Sequence, residues 1–238
     1  MKIVNAVWEK RNLGVDTVEI TFEKKDSEKE VEDFLDKLES EYIVLKVPTD
    51  LSYLLPIIQN KGYRYIEDMV GMSNYLQDVC RNSVEERIYN AVSVEIMNDM
   101  DMDILYKEIR KGIFDSDRVY LDPFFNHILA QTRYINWIKD EKEKGTDFLK
   151  YVYKEKTIGF FSLKEIESRY YTSFIGGIYK EYRNSGIGSI VKVPEEVRKR
   201  NGKKVSTSVS TNNVAQIKSL VRNGYIPESI SHTFIKHF

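Results

Sequence analysis

The six residues Arg183-Asn184-Ser185-Gly186-Ile187-Gly188 are of the types, and at the spacing, that hold an anion. Two glycines one residue apart let the main chain take positive φ and approach a ligand with no Cβ in the way. The stretch 170–180 leading into them predicts a strand, and the residues after them predict a helix start with unpaired N–H groups and a positive dipole end. Successive N–H groups form a concave nest of donors, which suits a pyrophosphate. An ordinary glycine turn is the plainer reading of the same residues.

Spacing separates the phosphate motifs. A dinucleotide G-x-G-x-x-G needs a third small position where Val191 stands, and no Gly-Lys-Ser/Thr string of a P-loop occurs. Residues 183–204 carry seven Lys or Arg against two Asp or Glu, a local charge of 7 − 2 = +5 in a chain of formal net charge −1. Such a patch beside an anion nest fits a ligand with several phosphates, and a solvated charged helix face is its bland alternative. Downstream, Lys204 to Ser210 alternates as a strand, and Asn212-Asn213-Val214-Ala215 opens a helix that stops at Gly224. His127, His232 and His237 lie apart from one another and from Cys80, so no metal-ligand spacing arises and no metal is expected.

The string Arg-x-x-Gly-x-Gly after a strand resembles the coenzyme A loop of the GNAT N-acyltransferase superfamily. The order strand, turn, helix, strand, Asn-Asn-x-Ala helix and Gly224-Tyr225 stop is that of the GNAT core, and the resemblance covers about residues 92–238. It implies an α/β (α+β) mixed sheet of GNAT fold over 92–238, preceded by a smaller βαβαβ domain over 1–78 that is a candidate degenerate GNAT-like half. It implies acetyl-CoA or another short acyl-CoA as co-substrate. Main-chain groups near Gly177, Ile178 and Tyr179 would hold the pantetheine arm. Amides of Arg183, Asn184, Ser185, Gly186, Ile187, Gly188 and Ser189 would hold the pyrophosphate, and Asn213 would bond the coenzyme. Trp8 to Val15, Asp117 to Pro123, Tyr134 to Ile138 and Gly159 to Glu165 are similar to a two-domain group containing TDP-fucosamine acetyltransferase. That similarity implies a nucleotide-linked amino sugar as acceptor.

Such an enzyme aligns an amine with a thioester, takes a proton from the amine and gives one to the leaving thiolate. The family commonly has a tyrosine seven residues after the asparagine, where this chain has Leu220, which cannot donate a proton. Tyr171, Tyr134 or water are the substitutes to consider; Ser219 points about 100° round the helix. Glu165 is the candidate base, acting through water, with a solvated strand-end carboxylate as its alternative. Arg118 is a candidate for a substrate phosphate, which a surface salt bridge explains equally well, and Tyr134 is a second substrate-binding candidate. Loss of the usual acid leaves open an acyl-CoA-binding sensor with little turnover. An N-acetyltransferase for a peptide N-terminus, a polyamine or an aminoglycoside is also open.

The elements that must position these residues follow from 238 residues, 42% of them hydrophobic, with 36 basic and 37 acidic side chains. That balance gives no reason to expect nucleic acid or a membrane surface as partner. One cysteine excludes an internal disulfide framework, and the start lacks the apolar core of a signal peptide, so a cytoplasmic location is expected. A homodimer is the default oligomer. In the first third, residues 16–23 alternate as a strand, Ser27 and Glu30 form a capping box, residues 42–47 are an apolar strand, and a helix holding Pro56 ends at Gly62. Residues 77–91 read as a link. Beyond it come a strand at 92–96, a helix at 101–112, a polar-aromatic loop, a helix at 124–142 and a hairpin across Lys154-Glu155-Lys156. Pro194 should kink or shorten the helix after the glycine turn.

Overall fold

Two short elements, β1 (Lys2–Asn5) and α1 (Val7–Leu13), precede the first alternating stretch in this computed structural model, which describes residues 1–183, 185 and 191–238. Neither is periodic enough to read from the sequence, so the expected βαβαβ start becomes a longer series. It runs on through β2 (Thr17–Thr21), α2 (Glu28–Lys37), β3 (Tyr42–Pro48), α3 (Leu55–Asn60) and β4 (Arg64–Asn74). The Ser27–Glu30 capping box forms in both directions, and Pro56 sits in the first turn of α3, where its missing N–H leaves no bond unmade. The expected link contains a helix, α4 (Ser83–Ala91), started by a second capping box from Asn82 and Glu85. None of its residues is buried, which is why the stretch shows no apolar period.

The second series is β5 (Val92–Ile96), α5 (Asp99–Arg110), the single turn α6 (Arg118–Leu121), α7 (His127–Glu143), β6 (Asp147–Tyr153) and β7 (Lys156–Glu167). Lys154 and Glu155 both take positive φ, the conformation that matches a two-residue hairpin turn to strand twist. Helix α7 starts three residues later than its pattern suggests: the Asn126 side chain caps it, and Phe124 and Phe125 lie before the cap. The single strand expected before the glycine turn is two, β8 (Tyr170–Thr172) and β9 (Gly176–Ile178). Then come α8 (Val193–Lys199), β10 (Lys204–Ser210), α9 (Val214–Arg222) and β11 (Ile226–His237). Pro194 occupies the first turn of α8 and kinks nothing.

Among the described residues the strands run β1-β2-β3-β11-β4-β10-β8-β7-β6-β5, with β9 also on β7. The last strand of the chain is therefore inserted between β3 and β4, antiparallel to both, and the sheet runs unbroken across the 78/92 line. Side-chain alternation divides the core. Phe161 packs with Val205, Val197 and Leu220 on the α8–α9 face, while Phe160 packs with Leu105, Ile109 and Ile138 on the α5–α7 face.

Candidate functional site

β8 and β10 are parallel, with Tyr170, Tyr171 and Thr172 opposite Lys204, Val205 and Ser206, and the Ser173 N–H donates to the Ser206 carbonyl at 2.9 Å. After Ser173 the pairing stops, and among the described residues β9 is bonded to β7 alone. Two strands that pair at one end and part at the other enclose a wedge. Ser162 N–H bonds the Ile175 carbonyl and Tyr179 N–H bonds the Ile158 carbonyl, both at 2.8 Å. Bonded residues alternate in an antiparallel ladder, so Gly177 turns its N–H and C=O to Phe160, and Gly176 and Ile178 turn theirs toward the wedge. Gly159 permits this approach: a Cβ there would sit 2.5 Å from the Gly177 carbonyl oxygen.

On the α8–α9 face a cavity of about 60 Å³ opens between these glycines and Thr207, Gln216, Ser219 and Leu220. Tyr151 and Tyr225 line it too, and burial pushes both phenols up, with a bond to the Lys192 backbone pulling Tyr151 the other way. Each therefore keeps its proton at neutral pH.

No family model matches this chain, and no curated protein matches it in sequence. Solved structures do match in shape. A GCN5-related N-acetyltransferase from Sphaerobacter thermophilus superposes with a TM-score of 0.64 at 13% identity, over 99% of this chain and 75% of that one. A conserved protein of unknown function from Staphylococcus epidermidis gives 0.62 at 12%, over 93% and 84%. A tandem GNAT protein from the clavulanic acid biosynthesis pathway gives 0.56 at 11%, over 93% and 75%. The fold is the GNAT fold.

Against that fold, the expected residues separate. Gly177 and Ile178 line the wedge, whereas Tyr179 is buried in the α5–α7 core with its N–H engaged. Asn184, Gly186, Ile187, Gly188 and Ser189 lie outside the described residues. The amides of Arg183 and Ser185, expected as free donors, bond the carbonyls of Lys180 (3.3 Å) and Tyr182 (3.4 Å). The Arg183 guanidinium ties the turn to the loop after α5 through the Ile113 carbonyl and Asp115. Asn213 caps α9, accepting from Gln216 N–H at 3.1 Å.

Six of the seven basic side chains of the patch have partners within the chain: Arg183, Lys192 with Glu195, Arg198 with the Leu76 and Gln77 carbonyls, Lys199 with Glu196, Arg200 with Asp147, and Lys204 with Glu228. Glu195 and Glu196 are the patch's own two carboxylates; Asp115, Asp78, Asp147 and Glu228 from elsewhere in the sequence face four of the five remaining charges. Glu165 and Tyr171 do meet, hydroxyl to carboxylate at 3.4 Å. They sit at the closed end of the wedge, where Tyr171 still faces Val205, and the β7 residues opposite Tyr171 and Gly177, Glu165 and Phe160, lie about 17 Å apart along that strand.

Arg118 is neither on the surface nor open to a phosphate. It is buried, with Nη2 donating to Glu9 at 3.1 Å and Glu19 at 2.6 Å. Arg133 joins through Glu9 at 2.7 Å and Asp117 at 3.5 Å. Burial works against the Glu19 charge, yet Arg118 and Lys46 hold its carboxyl down at about 2. Tyr134 lies beside this seam, ring to ring with Phe114 at 4.4 Å, and burial, aided by Asp117, drives its phenol well up.

Sequence reading missed Thr207, Gln216, Tyr151 and Tyr225, which point to the cavity from strands and helices already recognised. It also missed Glu67 of β4, whose Oε1 accepts the Arg118 N–H at 3.1 Å. Only knowledge that β4 lies against β10 would have brought Glu67 near the site. Among the described residues no three His, Cys, Asp or Glu side chains converge as metal ligands, and no helix is long and apolar enough to cross a membrane.

Proposed function

We propose that this chain is an acyl-CoA-dependent N-acyltransferase that brings a primary amine directly onto the thioester. The observation that carries it is the wedge: a one-sided strand, β9, whose Gly176 and Ile178 offer main-chain groups unpaired among the described residues, beside a cavity. The amide-rich pantetheine arm suits such an edge, since it can add to a strand as a peptide does. A cavity of about 60 Å³ suits a short acyl group, acetyl first. Gly176, Gly177 and Ile178 bind and orient; Leu220 and Val193 exclude water; the phenols of Tyr151 or Tyr225 hold a proton near the place where the thiolate leaves. These two take the general-acid role that Leu220 leaves vacant, ahead of Tyr171. A nucleotide-linked amino sugar is the acceptor that the local likeness to the TDP-fucosamine acetyltransferase group favours, and a homodimer the expected assembly.

Saturating acetyl-CoA should raise the melting temperature, by the equivalent of about 2.7 kcal/mol at one hundred times Kd. Absence of any shift with acetyl-, propionyl- or succinyl-CoA overturns the proposal. A second reading, an acyl-CoA sensor, is favoured by Leu220, buried where the family keeps a proton donor. Tight acetyl-CoA binding without thiol release over a panel of amines selects it.

A further inference from the structure

The two edges of the wedge are joined, on the α5–α7 face, by an arc of side chains that the proposed coenzyme site does not use. Phe114 stands at one end, 3.7 Å from the place a Cβ on Gly177 would take, and stacks on Tyr134 at 4.4 Å. Asp117 is next, its Oδ1 capping α6 through the Tyr120 N–H at 3.0 Å. Glu67 completes the arc. Its strand is paired to β10 with Met69 opposite Ser210, so Glu67 lies just beyond the end of β10, level with the open mouth of the wedge. Alternation places it on the face opposite Thr207 and the cavity, since Val70 and Met72 belong to the α8–α9 core.

Glu67 is 4% exposed, and one of its oxygens has a use: Oε1 accepts from the first amide of α6. The other, Oε2, is buried and makes no hydrogen bond of ordinary geometry, although the Ser210 hydroxyl lies near enough to the carboxylate to favour its charged form. A buried carboxylate oxygen left unpaired is costly, and such costs persist where a ligand supplies the missing partner. An ammonium group is that partner: it brings donors and the opposite charge, and Phe114 and Tyr134 offer aromatic walls suited to a cation.

We infer that Glu67 is the group that takes the proton from the acceptor amine, within an amine-binding site walled by Phe114, Tyr134 and Asp117. This rests on the acyltransferase reading above. The acceptor enters as R–NH₃⁺ and Glu67 takes one proton, leaving R–NH₂ and a neutral carboxyl. The nitrogen forms a bond to the thioester carbonyl carbon and the C–S bond breaks. The phenol of Tyr151 or Tyr225 gives its proton to sulfur and is restored by the nitrogen's second proton, and Glu67 returns its own to solvent. The charged and titratable groups facing Glu67 are Asp117, Arg118, Tyr134 and the Ser210 hydroxyl.

The test uses the full chain with acetyl-CoA and two amine probes, glucosamine and spermidine, comparing wild type with Glu67→Gln, which keeps an acceptor for the Arg118 N–H. Three readouts run together: the acetyl-CoA melting shift, binding of each amine by calorimetry with coenzyme A present, and thiol release from pH 5 to 9. The expected result is an unchanged acetyl-CoA shift, weaker amine binding, and a 10²–10⁴-fold fall in kcat with loss of the rising limb of the pH profile. Tyr134→Phe, which removes a hydroxyl bond to Asp117 but keeps the Tyr120 N–H cap of α6, should raise the amine KM with little change in kcat, and serves if the first variant fails to fold. Wild-type kcat and pH profile in Glu67→Gln overturn the inference, as does acetyl-CoA binding with neither amine bound. Failure of acetyl-CoA to bind wild type is the different outcome that removes the acyltransferase reading itself.

Discussion

Between β3 and β4 the last strand is zipped along its length, residues 231–237 facing 48–42 in unbroken register, whereas β8 and β10 hold only three residue pairs before β9 swings away. Both joints bring together residues far apart in the chain. The difference lies in what the strands carry. β11 drops Phe234 into one core and Ile235 into another, each worth roughly 1.5–3 kcal/mol of burial, so closure is rewarded on both faces. β9 brings Gly176 and Gly177, which offer the sheet main chain and nothing else. Closure at one joint makes the scaffold, and the lack of reward for closure at the other leaves the main-chain groups of Gly176 and Ile178 without a strand partner among the described residues.

The most severe break in this contrast is removal of residues 226–238. It strips β3 and β4 of their shared neighbour and leaves the holes of Phe234 and Ile235 unfilled in both cores. We expect no cooperative thermal transition by circular dichroism, and none from residues 1–78 alone. A sharp melt in either would mean that the halves fold separately, as a division at 78 and 92 supposes.

Next in size is Gly159→Ala. The new methyl would lie 2.5 Å from the Gly177 oxygen and 2.9 Å from Ile178 Cδ1, and the backbone oxygen cannot swing aside. The cost should be about 1–3 kcal/mol in denaturant melts, and β9 should shift against β7. Loss of the acetyl-CoA melting shift beyond that cost would locate binding on the free edge of β9; an undiminished shift would detach binding from the wedge.

The same contrast explains what could be read in advance. Strong local signals survived: the Ser27–Glu30 box, the Lys204–Ser210 alternation and the Gly224 stop are each set by neighbours a few residues away. The break of residues 170–178 into β8 and β9 was not legible, because it depends on which strand lies alongside. The insertion of β11 was hidden for the same reason, and with it the nearness of Glu67 to the wedge. Arg118 looked like a surface cation since its partners, Glu9 and Glu19, lie 109 and 99 residues away. The basic stretch misled in the reverse direction: four of its five excess charges face Asp78, Asp115, Asp147 and Glu228, carboxylates that local counting never sees.

The last expected effects concern two buried carboxylates that meet the same arginine. Glu19 receives the Arg118 guanidinium and its carboxyl is held at about 2, below the ordinary value, so its contribution to stability is complete above about pH 4.5 and is lost as pH falls toward 2. Glu67 receives the Arg118 N–H and not its guanidinium. Burial, with the charge of Asp117 adding and the Ser210 hydroxyl opposing, pushes its carboxyl up, so its neutral form is favoured and stability is lost as pH rises through that raised value. Glu19→Gln should therefore destabilise the chain at pH 7, by about 1–3 kcal/mol, with the deficit shrinking as pH is lowered through 4. Glu67→Gln should do the opposite, matching wild type in acid and gaining on it toward pH 8, because it removes a charge the fold opposes. Urea melts at pH 4, 6 and 8 measure both. If the two variants follow the same slope, Glu19 and Glu67 share one electrostatic environment and the seam is an ordinary ion-pair network. Opposite slopes mark Glu67 as a carboxylate kept at a cost to the fold, as expected of a group placed for chemistry.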